Sequence, residues 1–211
     1  MPFVTSVHQK LDKYRLVLGS TSPRRKEILE TNFGISKFDV IGSNFAENLT
    51  KSDKTPLEYV ILTSQRKAEA LVKVVKENYS QEDIILITCD TVVSCNGEIF
   101  EKPGTKIEQA RFFKYYSRYP KVNVISAVTI IKIRGSSILE FQNHCITKLE
   151  FKSNNEDVMN GYIDSEEGLE VAGGFKFQER GCLLFKEITG DYLNIVGLPT
   201  YTYDLLKRAL E

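Results

Sequence analysis

Residues Ile84 to Val93 read Ile-Ile-Leu-Ile-Thr-Cys-Asp-Thr-Val-Val, an almost unbroken apolar and β-branched run. It is long enough and β-branched enough to be a central strand, covered on both faces. Asp90 is the outlier, because burying a carboxylate there is costly unless a cation or several donors satisfy it. A structural salt bridge, a metal ion or a catalytic role each meets that requirement. An acid near the end of a central strand is also a reasonable general base for activating water. Asn96-Gly97 then signals a type I′ hairpin, with Glu98–Lys102 as the returning strand. A two-residue turn pairs Cys95 with Glu98 and Thr91 with Lys102, on the opposite face from Asp90. Lys102 converges on Asp90 only if the ladder ends or bulges first, a break that Pro103 favours; otherwise it is an edge-strand charge.

The second constraint is Leu-Val-Leu-Gly-Ser-Thr-Ser-Pro-Arg-Arg over residues 16–25, a strand running through hydroxyl residues into a helix. Ser22 is a good N-cap and Pro23 suits the first helical position, so Arg24 and Arg25 fall in the first turn. Cations there oppose the helix dipole at roughly 0.3–1 kcal/mol each. A bound phosphate, contacted by free N–H groups, the Ser20 and Ser22 hydroxyls and guanidinium forks, explains that cost most simply. Two solvated arginines on an exposed turn are the plainer alternative.

The remaining pattern alternates. Arg15–Leu18 reads as a strand and 23–31 as a helix. Residues 43–54 read as a loop, in which Glu47 could ligate a divalent cation or be simply solvated. Thr55-Pro56-Leu57-Glu58 is a capping box opening a helix with Lys67 at the edge of its apolar stripe. Helices are expected over 107–117 and 155–163, a long antiparallel pair over 122–133 and 138–151, and a strand over 182–188. Gly168, Gly173, Gly174 and Gly181 suggest a flexible loop able to approach a ligand, and Pro199 opens a final helix. The expectation is α/β: a mixed, twisted sheet flanked by helices, with two lobes around a central cleft, in one domain over 1–211 behind a polar leader at 1–13.

Lys plus Arg equals Asp plus Glu at 28 each, so no global field draws the chain to nucleic acid or a membrane surface. The opening residues read as neither a signal peptide nor a membrane span, which points to the cytoplasm. Oligomeric state is left open, a homodimer included. Cys89, Cys95, Cys145 and Cys182 have no metal-finger spacing and fit buried free thiols. A hydrolase triad would have to rest on His144, because His8 lies in the leader; His144 reads better as an ordinary strand residue.

The blocks Ser-Thr-Ser-Pro-Arg-Arg (20–25), Arg-Lys-Ala (66–68), Cys-Asp-Thr-Val-Val (89–93) with Asn-Gly-Glu (96–98) and Glu-Lys-Pro (101–103), Ala-Gly-Gly-Phe-Lys-Phe-Gln (172–178) and Asn-Ile-Val-Gly-Leu-Pro (194–199) together resemble the Maf family of nucleotide pyrophosphatases. They stand in the family's order from about Leu16 to Leu206.

The resemblance implies a Maf/ITPase-like fold. It also implies hydrolysis of a nucleoside triphosphate between the α and β phosphates, giving a monophosphate and pyrophosphate, with a divalent cation (Mg²⁺ or Mn²⁺) assisting. Asp90 matches the family's proton acceptor; Lys67 and Lys102, with Arg24 and Arg25, are read from the residues themselves as positive charge for a triphosphate. Arg24, Thr91 and Gln178 match three specificity positions in the combination of the dTTP/UTP-type subgroup, whereas Trp, Gln and Glu mark preference for 7-methyl-GTP. A glutamine offers both a donor and an acceptor, which suits the O4 and N3–H edge of uracil or thymine. Arg66 and the triplet Ile125-Ser126-Ala127 depart from the family's usual Glu and Tyr-Thr-Gly, which bears on fine substrate preference. Two other readings stay open: a nucleotide-binding regulator of cell division, and the same chemistry on noncanonical or 7-methyl-purine triphosphates.

Overall fold

A computed structural model describes residues 3–43, 45, 53–153 and 155–211. Strands β1 (Arg15–Leu18), β2 (Asp39–Val40), β3 (Ile84–Cys95), β4 (Glu98–Phe100), β5 (Lys121–Arg134), β6 (Ser137–Phe151) and β7 (Phe185–Thr189) form one seven-stranded sheet. Its order is β2-β1-β3-β5-β6-β7, with β4 also on β3. β1 is parallel to β2 and β3; the other pairs are antiparallel. The helices are α1 (Ser6–Leu11), α2 (Pro23–Glu27), α3 (Pro56–Asn78), α4 (Lys106–Arg118), α5 (Glu156–Asp164), α6 (Tyr192–Val196) and α7 (Tyr201–Ala209). This is the mixed, helix-flanked sheet expected from the alternation of patterns. Among the described residues no helix is long and apolar enough to cross a membrane.

β3 is the central strand, and it creates the cleft. β5 pairs with it from Ile84 to Cys95 along one edge. The other edge is divided: β1 pairs with Ile84–Ile87 and β4 with Val93–Cys95. Among the described residues no strand pairs with 88–92 there, so the sheet splits beside Asp90 and Thr91. Its two-residue period sends Ile85, Ile87 and Cys89 into one core, with α7, and Ile84 and Leu86 into another under α3. The half beyond the split has an aromatic core of its own, with Phe100, Phe113, Tyr116 and Phe151 fully buried.

Local chemistry explains most boundaries. Thr55 and Glu58 form the expected capping box of α3. Asn96 and Gly97 both take positive φ, 49° and 84°, as a type I′ turn demands, and Cys95 pairs with Glu98. The β3–β4 ladder ends at Val93–Phe100, so Lys102 lies beyond it and is free to turn toward the cleft.

Several expectations need correction. The polar leader contains α1, capped by Thr5 and His8, with Val7 and Leu11 in the core. The helix expected over 23–31 is five residues long and passes into a π-turn at Ile28–Asn32. The strand expected from Cys182 starts at Phe185, because Arg180–Leu184 forms a 3₁₀ turn. Cys182 is therefore exposed and Cys145 only half-buried, while Cys89 and Cys95 are buried as expected. The glycine-rich segment is closely packed: a Cβ on Gly168 would meet the Gly174 carbonyl oxygen at 2.0 Å.

Candidate active site

The split in the sheet opens into a cleft of about 650 Å³. Ser20, Ser22, Arg24, Arg25, Lys67, Asp90, Thr91, Lys102 and Gln178 all line it, brought together from five separate segments. Glu47 lies outside the described residues. His144 sits exposed on β6, an ordinary strand residue.

Asp90 and Thr91 are successive residues of β3, so their side chains leave opposite faces. Asp90 faces α3, where the Lys67 ammonium lies 2.6 Å from Oδ1 with both side chains more than nine-tenths buried. This contact answers the question Asp90 posed in the sequence: a cation from the covering helix balances its charge. Below it, the Ser64 and Thr129 hydroxyls bond at 2.9 Å, and the Thr88 hydroxyl donates to the Ser64 carbonyl at 2.8 Å. These buried polar groups are satisfied among themselves.

On the other face, Arg25 acts as a clamp. Its Nε donates to Gly197 O at 2.9 Å, Nη1 to Ser20 Oγ at 3.2 Å and Nη2 to Thr91 Oγ1 at 3.2 Å. Thr91 Oγ1 also bonds Ser126 Oγ at 2.9 Å. One guanidinium thus ties α2, the hydroxyl turn, β3 and the loop after α6. A guanidinium has five N–H donors, so two remain for a ligand. Arg24 donates through Nε to Val196 O at 3.1 Å. Burial holds its pKa below the ordinary value, the like charge of Arg25 adds to this, and Glu179 opposes it. Ser22 is the N-cap residue expected, but its side chain makes no capping bond; its N–H donates to Ser20 Oγ at 3.2 Å. A phosphate placed here would therefore meet guanidinium and hydroxyl groups already held in place.

The opposite wall is set by α4. The Gln109 amide donates to Gly174 O at 2.7 Å and the Tyr116 hydroxyl to Gly173 O at 3.2 Å. Gly173 has φ 74° and sits so close to Val93 that a Cβ would lie 2.6 Å from Cγ2. These contacts fix the segment leading to Lys176 and Gln178. Lys102, exposed at the rim, has no ion-pair partner among the described residues.

Sequence reasoning missed Tyr59, Glu101, Glu170 and Lys176, which also line the cleft. Two had a signal: Glu101 and Lys176 lie inside the blocks quoted above. Among the described residues no group of three or more His, Cys, Asp or Glu side chains could hold a metal. Asp90 and Glu101 nonetheless suit a hard divalent cation, which commonly takes one or two carboxylates and completes its shell with water and substrate phosphate.

The family described as "Maf-like protein" matches residues 15–209. Similar proteins include the dTTP/UTP pyrophosphatase of Saccharomyces cerevisiae, 39% identical over 203 residues that cover 89% of this chain and 86% of the relative. The Schizosaccharomyces pombe protein of the same name is 34% identical over 215 residues, covering 98% and 88%. The one from Thermoanaerobacter sp. is 34% identical over 200 residues, covering 93% and 97%.

Proposed function

This chain belongs to the Maf family, and from that premise we propose that it hydrolyses dTTP and UTP to the monophosphate and pyrophosphate. The supporting observation is the convergence of Asp90, Lys67, the Arg24–Arg25 turn, Thr91, Lys102 and Gln178 on one cleft. The relatives' printed names supply the substrate class.

In this reading the triphosphate lies over the 20–25 turn, where the unused Arg25 donors and Lys102 offset its charge. Asp90 takes a proton from a water attacking the α phosphorus; the new P–O bond forms as the bond to the bridging oxygen breaks, and pyrophosphate leaves. Lys67 orients the Asp90 carboxylate from 2.6 Å. Gln178 reads the pyrimidine edge from the opposite wall. A divalent cation, Mg²⁺ or Mn²⁺, supplies further neutralisation of phosphate charge when bound, with Asp90 and Glu101 as carboxylate donors. Four free thiols, two of them buried, suit a reducing cytoplasm.

A nucleotide panel with Mg²⁺, scored for pyrophosphate, tests the proposal. Asp90→Asn should lower turnover of dTTP and UTP by at least about a hundredfold, the usual contribution of a general base. Undiminished turnover would remove Asp90 from the chemistry, and nucleotide binding without any pyrophosphate would favour a regulator over an enzyme.

A further inference from the structure

The block Asn-Ile-Val-Gly-Leu-Pro over 194–199 carries part of the family resemblance, yet none of its side chains takes part in the chemistry above. Its main chain does. Arg24 Nε donates to Val196 O at 3.1 Å and Arg25 Nε to Gly197 O at 2.9 Å. Two successive carbonyls thus grip the two arginines at their Nε atoms. A guanidinium is rigid and planar, so fixing Nε sets the direction of the whole fork. Where these carbonyls sit decides where both cations of the phosphate wall point.

Asp191 holds the carbonyls in place without lining the cleft. Its Oδ1 accepts from the N–H groups of Leu193 at 2.8 Å and Asn194 at 3.4 Å, as the N-cap of α6. Its Oδ2 accepts from the Thr200 N–H at 2.6 Å and the Thr200 hydroxyl at 2.8 Å. Residues 191 and 200 are latched together, and Val196 and Gly197 lie in the loop so closed. The loop is anchored to the sheet. The Asn194 amide donates to Val124 O at 2.9 Å and Thr147 Oγ1 at 3.0 Å, and the Thr147 hydroxyl donates to Asp191 O at 2.8 Å. Inside it, the N–H groups of Gly197 and Leu198 both donate to Leu193 O, at 2.9 and 3.1 Å. Capping a helix needs only the first oxygen; the second is spent on the latch.

We propose that Asp191 is a positioning residue for Arg24 and Arg25. By latching Thr200 it fixes the Val196 and Gly197 carbonyls, and through them it aims both guanidiniums at the oxyanions of a bound triphosphate. The identity of that ligand rests on the hydrolysis proposed above, whereas the latch does not.

Asp191→Asn tests it, because asparagine keeps the oxygen that caps α6 but turns an NH₂ group, which cannot accept, toward Thr200. Calorimetric titration with α,β-methylene-dTTP and Mg²⁺ reads binding without cleavage, and circular dichroism at the same temperature checks the fold. Kd should rise at least about tenfold. In Arg25→Lys, which leaves no fork for the Gly197 carbonyl to aim, the same change should cost less than about threefold, whereas a general loss of stability would add in full. Thr200→Val, at an exposed position, removes one of the two latch bonds and should weaken binding about threefold, so it decides the matter if Asp191→Asn does not fold. An Asp191→Asn protein that melts lower but binds within about twofold of wild type, or a loss undiminished beside Arg25→Lys, overturns the proposal. If Asp191→Asn does not fold, a Thr200→Val protein that binds as wild type does so instead. Wild-type protein that binds the analogue but releases no pyrophosphate from dTTP overturns the hydrolysis alone, and the same affinities still decide the role of Asp191. Wild-type protein that does not bind the analogue overturns both.

Discussion

Exchanging Arg25 for lysine separates two jobs that the wild-type side chain combines. If Arg25 serves only as a positive charge for phosphate, lysine should replace it. The geometry says otherwise, because the guanidinium makes three hydrogen bonds to groups on three different segments. An ammonium on a flexible stem is a point charge and cannot hold that fork; it keeps one of the three contacts at best. Two lost hydrogen bonds at about 1 kcal/mol each, for a half-buried group, total about 2 kcal/mol. For a chain of this length each 1 kcal/mol moves Tm by about 2–4 °C, so Arg25→Lys should melt about 4–8 °C below wild type. Loosening Ser20 and Thr91 should also displace the substrate, and misplacement by about 1 Å can cost about a hundredfold. Circular dichroism melts and kcat/KM for dTTP measure the two effects. A variant melting within about 1 °C of wild type, with kcat/KM reduced less than about threefold, would refute the clamp and leave charge alone.

Gly173→Ala should destabilise the fold by about 2–5 kcal/mol, since it combines a positive φ with overpacking against Val93. Urea denaturation reads this, and a change under 1 kcal/mol would show that the loop yields. The Cys95 thiol is pushed up from 9.0 to about 11, by burial first and Glu98 second. Between those values the unfolded chain has released this proton while the native state keeps it, so its contribution to stability falls as pH rises from 9 toward 11. Cys95→Ala should remove that part of the decline in urea midpoints over the same pH range, and an identical slope would contradict it. Gln178→Glu should reduce turnover of dTTP and UTP relative to other nucleotides, because a carboxylate cannot donate to the O4 of the base; an unchanged substrate profile would show that position 178 does not read the base.

Much of the site was legible because its residues sit in short, chemically unusual blocks. Asp90 stands out within an apolar strand, and Ser22-Pro23 before two arginines carries a local reason to open a helix. The hairpin register followed from Asn96-Gly97, and the break before Lys102 from Pro103. What escaped depended on distant partners. Nothing near Val7 or Leu11 announces that a polar leader buries them, since their contacts are with π-turn and α7 residues far along the chain. The 3₁₀ turn at Arg180–Leu184 looked like the start of a strand because its apolar content matches one. Tyr59 was passed over because a tyrosine among core positions carries no signal of the cavity it borders.

By itself the sequence determined the period of each element, the place of the turns and the identity of the charged residues that cannot be buried alone. Those are properties of neighbours within a few positions, where backbone geometry and side-chain chemistry act directly. Only the tertiary structure decided that Lys67 is the cation matched to Asp90, that Arg25 ties Gly197, Ser20 and Thr91 together, and that the sheet divides beside 88–92. Each of these depends on which distant segments share the two edges and two faces of β3, and a strand's own residues do not encode which segments those are.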